Sequence, residues 1–205
     1  NMSEVTKFMY KIIGLTGGIA SGKTTVSDYL KERGYTVLDA DAYSRKTTAK
    51  NGPAIPAIKK AFGDDIVNAD DELDRKKLGS IIFNDADKRR ELNEIVHPLI
   101  RDMMNGDEQK FIKEGHVFLD IPLLFENGLN ERCDFVVTVF VDRDTQIKRL
   151  TARNDLTVEE AEARINSQMP LTEKVHRSEY RLDNNGNPEA LYEQIDRFAE
   201  ELESL

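Results

Sequence analysis

A chain of 205 residues is long enough to bury a real core and points to one domain, with small insertions at most. Its net charge of −9 at pH 7 argues against general nucleic-acid binding, so any anionic ligand must be held by a local basic cluster. The longest apolar run, Phe135–Val141, is too short to cross a bilayer, and the single cysteine, Cys133, fits a reducing cytoplasm rather than a disulfide framework.

Asn1 is no initiator and reads as a tag remnant; the native start is Met2 or Met9, and residues 1–8, a tag remnant or a disordered N-terminus, are set aside. Tyr10–Leu15 predicts a first strand, apolar enough to be buried on both faces. Gly17–Thr24 follows it and fits G-x-x-x-x-G-K-[ST], the phosphate-cradling P-loop. Glycine lets the backbone approach a polyphosphate with no Cβ in the way. The turn aims successive N–H groups, and the positive end of the next helix, at the anion. Gly18, Ile19, Ala20, Ser21, Gly22, Lys23, Thr24 and Thr25 are therefore the candidate nucleotide cradle. In it Lys23 supplies a mobile charge for the β/γ-phosphates and the Thr24 hydroxyl binds Mg²⁺.

A helix is predicted from Lys23 to about Arg33, stopped by Gly34, and Thr36–Leu38 is a short second strand ending in Asp39–Ala40–Asp41. Residues just past the carboxyl ends of such strands face the ligand crevice of an open α/β sheet. Arg45 lies one helical turn beyond Asp41 if a helix starts there. Asn51–Gly52–Pro53 is a break, and no strand appears between Leu38 and His116, so residues 51–114 read as an all-helical insertion. It carries the basic run Arg75–Lys77 and, at helical spacing, Leu92, Ile95, Val96, Leu99, Ile100 and Met103. His97–Pro98 predicts a kink or a helix end there, with His97 buried and hydrogen-bonded.

Val117–Asp120 is a third strand closed by an acid, as in a Walker B element whose carboxylate helps hold Mg²⁺. Phe135–Val141 is the fourth strand, followed by a helix, Thr145–Arg153, with Arg149 and Arg153 on one face. Thr157 and Glu160 spell a capping box for a helix reaching Gln168. Tyr180–Leu182 is a fifth strand, and the last helix runs from Pro188 to Glu203 with Leu191, Ile195, Phe198 and Leu202 inward. The expected fold is α/β: a three-layer P-loop nucleotide kinase with a five-stranded parallel sheet. Its core is 9–50 with 115–205, its lid lies at about 143–175, and 51–114 is the helical acceptor-binding insertion.

A P-loop alone does not separate kinases, GTPases and motor ATPases. No N-K-x-D guanine-reading element is present, and Asp183–Gly186 spells D-x-x-G only after the last strand. The chain resembles dephospho-CoA kinases in a series of separated elements in that family's order. These are Gly14–Val26, Asp39–Ala40–Asp41 with Arg45, Leu73–Asp74–Arg75 with Leu78 and Phe83, and Leu92–Asn93 with His97–Pro98. The series continues with Pro122–Glu126, Gln146 with Arg149–Leu150, Arg164–Ile165 with Gln168, and Asp183–Gly186.

The resemblance implies phosphoryl transfer from ATP, with Mg²⁺, to the ribose 3′-hydroxyl of dephospho-CoA, the last step of coenzyme A synthesis. It assigns Asp41 as general base, although Asp41 also suits a helix N-cap and the two roles are compatible. Arg149 becomes the lid arginine that neutralises the transferring phosphoryl group. Arg45 and Arg75 are candidates for the acceptor's phosphates or ribose, His97 lies near the acceptor, and Pro122 and Leu123 wall its pocket. Asn184 and Gly186 lie beside the adenine, while Thr24 and Asp120 are the metal candidates. Ala20 stands where the family commonly has Gly, which asks for an ordinary backbone conformation there. ATP and dephospho-CoA are the expected partners of a monomer or weak homo-oligomer, with no membrane and no nucleic acid. The alternatives are another small-molecule or nucleoside-monophosphate kinase and, from a different class, a nucleotide-binding regulatory module.

Overall fold

The structure is a computed structural model that describes residues 9–205; the expected tag remnant, 1–8, lies outside the described residues. Its strands are β1 (Ile12–Gly17), β2 (Thr36–Asp39), β3 (Val117–Asp120), β4 (Phe135–Phe140) and β5 (Tyr180–Asp183). They form one sheet in the order β2-β3-β1-β4-β5, in which β1 pairs parallel with both β3 and β4, and β4 with β5. The helices are α1 (Lys23–Glu32), α2 (Ala40–Thr48), α3 (Ile55–Phe62), α4 (Arg75–Asn84), α5 (Ala86–Phe111), α6 (Arg143–Asn154), α7 (Val158–Asn166), α8 (Leu171–His176) and α9 (Pro188–Glu203). The chain divides into two compact units, one of residues up to Leu38 with Lys110–Leu205, the other Asp39–Gln109.

In the first unit, Ile13 and Leu15 of β1 are fully buried in the middle of the sheet, as their unbroken apolar run requires. Val26 and Leu30 of α1, with Leu191, Ile195, Phe198 and Leu202 of α9, pack on Phe118, Val137, Val139 and Leu182 of the sheet. Burying each such side chain contributes about 1.5–3 kcal/mol relative to exposure. The chain leaves β1 two residues later than the apolar run suggests, because Thr16 and Gly17 still pair with Thr138 and Val139 of β4. Leu150, Ala161 and Ile165 form a small separate core under α6 and α7, against which Ile19 and Ala20 pack. The Thr157–Glu160 capping box is present, with both reciprocal hydrogen bonds at 3.1 Å. Helix α8 was not legible as a helix: at six residues it is too short to show a periodic stripe.

The second unit has its own apolar cluster, built on Ala54, Ile58, Ile66, Leu78 and Val96. Here the expectation of a helix end at the proline fails. Pro98 neither ends the helix nor breaks α5, which runs continuously for 26 residues. Pro98 and Glu94 are both exposed, so the carbonyl of Glu94, four residues back, can bond water in place of the missing N–H. Meanwhile Leu92, Ile95, Val96, Leu99 and Ile100 keep one apolar stripe on the cluster. His97 is accordingly exposed and mid-helix, not a buried helix-end residue.

Candidate active site

The P-loop lies between β1 and α1, all within the first unit. Gly22 precedes α1 with φ 89°, and a Cβ there would come within 2.2 Å of the Asn184 amide nitrogen, so no other residue fits. A Cβ on Gly18 would meet Leu171 Cδ2 at 2.7 Å and Gln146 Nε2 at 2.8 Å, a measure of how closely the lid segments approach the loop. Ala20 has φ 61°, so the expectation of an ordinary backbone there is corrected. The left-handed conformation costs a non-glycine residue about 1–2 kcal/mol. Ala20 adopts it because the loop path demands it, and its methyl group gains contact with the Leu150–Ala161–Ile165 core. Ser21 is 1% exposed, and its hydroxyl is the one buried side-chain polar atom among the described residues that has no hydrogen-bond partner.

Side chains from three different segments hold the loop by its carbonyls. The Lys174 ammonium donates to the carbonyl of Gly17 at 3.3 Å, the Gln146 amide to that of Ile19 at 3.0 Å, and the Asn184 amide to that of Ser21 at 2.8 Å. Lys174 is fully buried and also donates to the Pro122 carbonyl and the Glu126 carboxylate, both at 3.1 Å. Arg149 is anchored by a 2.9 Å bond from its guanidinium to the Asn184 carbonyl. Lys23 is ion-paired with Asp120, whose side chain is only 6% exposed. Asp142 caps α6, and its hydrogen bonds from the Thr145 backbone N–H and then the Thr145 hydroxyl, with the nearby Arg149 charge adding a smaller effect, hold its carboxyl below the ordinary value.

An open cavity of about 660 Å³ brings together several of the predicted nucleotide residues. Ala20, Gly22, Thr25, Arg149, Asn184 and Gly186 all line it. Arg153 is there too, one turn beyond Arg149 on α6. Thr24 is exposed in the first turn of α1. Pro122 is engaged through its carbonyl, which accepts from the Thr16 hydroxyl as well as from Lys174, while Leu123 is 39% exposed.

The other predicted acceptor residues lie in the second unit. Asp39, not Asp41, is the N-cap of α2, accepting the Asp41 N–H at 2.9 Å; Asp41 sits inside the first turn with an exposed side chain. Capping is thereby removed as an explanation of Asp41. Arg45, also exposed, follows one turn along α2, and the Arg75 guanidinium bonds the Thr48 hydroxyl and carbonyl at 3.3 and 3.2 Å at the helix's far end. These three therefore gather along α2, whereas His97 is placed on α5.

A family model described as CoaE, dephospho-CoA kinase, matches residues 11–189. A Bacillus cereus dephospho-CoA kinase is 49% identical over 180 residues, covering 87% of this chain and 90% of that protein. The chain belongs to the dephospho-CoA kinase family. A Staphylococcus aureus dephospho-CoA kinase is 41% identical over 194 residues, 94% of each chain. Among solved structures, a dephospho-CoA kinase from Campylobacter jejuni superposes with a TM-score of 0.76 at 27% identity, covering 96% of this chain and 98% of that one. A Thermus thermophilus protein does so at 0.77 and 35%, covering 94% and 98%. A shikimate kinase from Acinetobacter baumannii, at 18% identity and a TM-score of 0.53, shares the P-loop kinase fold. The fold and the enzyme class expected from the sequence, a P-loop kinase that uses ATP, are those of this family.

Lys174 is the residue the sequence reading missed. In Glu173–Lys174–Val175–His176 it looks like a surface lysine, and only the tertiary path that buries α8 against β4 reveals its three acceptors. Gln146 was legible as part of a motif, but its partner, the Ile19 carbonyl, is 127 residues away in sequence.

Proposed function

We propose that this kinase transfers the γ-phosphoryl group of ATP to the ribose 3′-hydroxyl of dephospho-CoA, giving coenzyme A and ADP. The observation that carries the reading is the cavity of the first unit, where the glycine turn, Arg149 and Asn184 line one space, in a chain of this family. The donor side follows from the geometry. Loop N–H groups and the start of α1 favour the phosphates, and Lys23 and Arg149 supply the positive charge that phosphoryl transfer needs on its equatorial oxygens.

The acceptor side is assigned to residues 51–114 together with Asp41 and Arg45. Asp41 orients the 3′-hydroxyl and takes its proton late, as a carboxylate does in a loose transition state. Its exposed side chain and its freedom from the capping role support this reading. Arg45 and Arg75 bind the acceptor's phosphates, with Pro122, Leu123 and His97 as further contacts. Mg²⁺ bound with ATP would neutralise charge on the phosphate oxygens; Thr24 and Asp120 would hold it, an all-oxygen set suited to a hard cation. Among the described residues no helix is long and apolar enough to cross a membrane. With a single cysteine, the chain fits a cytoplasmic setting.

An ATP-consumption assay against a panel of acceptors tests the assignment. Turnover dependent on dephospho-CoA is expected. Good turnover of a nucleoside monophosphate with none of dephospho-CoA would overturn it.

A further inference from the structure

We propose that Lys174 and Gln146 are positioning residues of the phosphate-binding loop, acting with Asn184 as a clasp that sets the loop's N–H groups from behind. The proposal rests on the reading that this loop binds ATP.

The three side chains take alternate carbonyls, those of Gly17, Ile19 and Ser21. A peptide unit is planar and trans, so its N–H points opposite to its C=O. Fixing these three carbonyls therefore fixes the directions of the next three N–H groups, on Gly18, Ala20 and Gly22. All three then face away from the clasp, the arrangement an anion-binding concavity requires. The pattern also accounts for Ala20, held at φ 61° by a peptide whose carbonyl is bound to Gln146.

Lys174 has a second task. Strands β1 and β3 stay in register up to Leu15 and Asp120, and the last ladder bond runs from Ile121 N to the Leu15 carbonyl at 3.0 Å. Beyond it the strands part, and the ammonium bridges the gap by donating to both Gly17 and Pro122. Its third donor goes to Glu126, which also accepts the Met169 N–H at 3.1 Å. All three ammonium donors are thus matched. An ion pair with its ammonium fully buried adds little net stability, because desolvation of the ammonium offsets the Coulomb energy. Its placement on the loop points to positioning.

The test compares the wild-type chain with Gln146→Leu, Glu126→Gln and the double variant Lys174→Met/Glu126→Gln, the last removing both charges of the ion pair so that neither is left unpaired. Thermal unfolding reports folding; calorimetric titration with ADP and steady-state KM values for ATP and dephospho-CoA report the site. Folded Gln146→Leu and double variants are expected to bind ADP, and to show a KM for ATP, about tenfold weaker, that is about 1.4 kcal/mol. The KM for dephospho-CoA is expected to change less than twofold, and Glu126→Gln alone, which leaves the buried ammonium without its counter-charge, to lower the melting temperature while ADP affinity stays near wild type. A folded double variant with wild-type ADP affinity would overturn the proposal, leaving Lys174 as no more than the partner of Glu126. Equal losses for both substrates would overturn it too. Failure of the wild-type chain to bind ADP would instead strike the nucleotide reading on which it rests.

Discussion

The two compact units treat their candidate functional groups differently. In the first, loop carbonyls, Arg149 and Lys23 each have a defined protein partner: Lys174, Gln146, the Asn184 amide, the Asn184 carbonyl and Asp120. In the second, Asp41 and Arg45 stand exposed on α2. Of the left-handed non-glycine residues among those described, Asn51, Asp71 and Asp155 are types that tolerate the conformation, whereas Ala20 in the loop is held there against its preference. The groups around the glycine-rich loop are thus preorganised by the fold, whereas Asp41 and Arg45 present exposed side chains.

The largest effect expected is that of Lys23→Ala. Loss of a preorganised charge at the transferring group should lower kcat/KM by about 10³-fold, measured by coupled assay. Next comes Asp41→Asn, with an expected loss of about 10²-fold in kcat and ADP affinity unchanged by titration. If Asp41→Asn proved the more damaging of the two, the balance between the units would be reversed. Near-normal turnover would remove Asp41 as base.

A smaller effect concerns His116, whose Nδ1 accepts the Lys11 N–H at 2.9 Å and so pins the chain just before β1. Burial pushes its pKa below the ordinary value; Lys11 adds to this and Glu203, across from Nε2, opposes it. The unfolded chain then binds the proton more readily. Stability is therefore complete above a pH of about 6.5 and falls as the pH drops below it. Melting temperature should decline from about pH 6.5 toward 5, and His116→Gln should flatten that slope. An unchanged slope would mean that the start of β1 does not depend on this contact.

The smallest effect is expected for Ala20→Gly. Relief of the left-handed backbone, about 1 kcal/mol, is offset in part by the lost methyl contact with the lid core, so stability should change by less than about 1 kcal/mol. Destabilisation beyond about 2 kcal/mol in thermal unfolding would show that the methyl contact outweighs the backbone strain.

Much of the first unit was legible because its signals are local. The glycine spacing of the loop, the acid closing β3, the Thr157–Glu160 box and the apolar stripe of α9 each lie within a few consecutive turns of chain. The misreadings came where a local rule met a tertiary one. Pro98 should kink or end a helix, yet α5 runs on through it, its stripe packed on a cluster and Glu94 exposed where its carbonyl can bond water. His97, expected to be buried at a helix end, is exposed in mid-helix.

From residue order alone came the strands, the phosphate-binding loop, the kinase class and the candidate side chains. These depend on spacing along one segment, which the backbone converts directly into geometry. Only the tertiary structure decided which groups hold that loop. Lys174 and Gln146 lie more than a hundred residues from the loop carbonyls they bind, those of Gly17 and Ile19, and nothing in their neighbours encodes such a contact. It exists because α6 and α8 pack where the sheet places them, and a buried ammonium must find acceptors wherever it comes to rest.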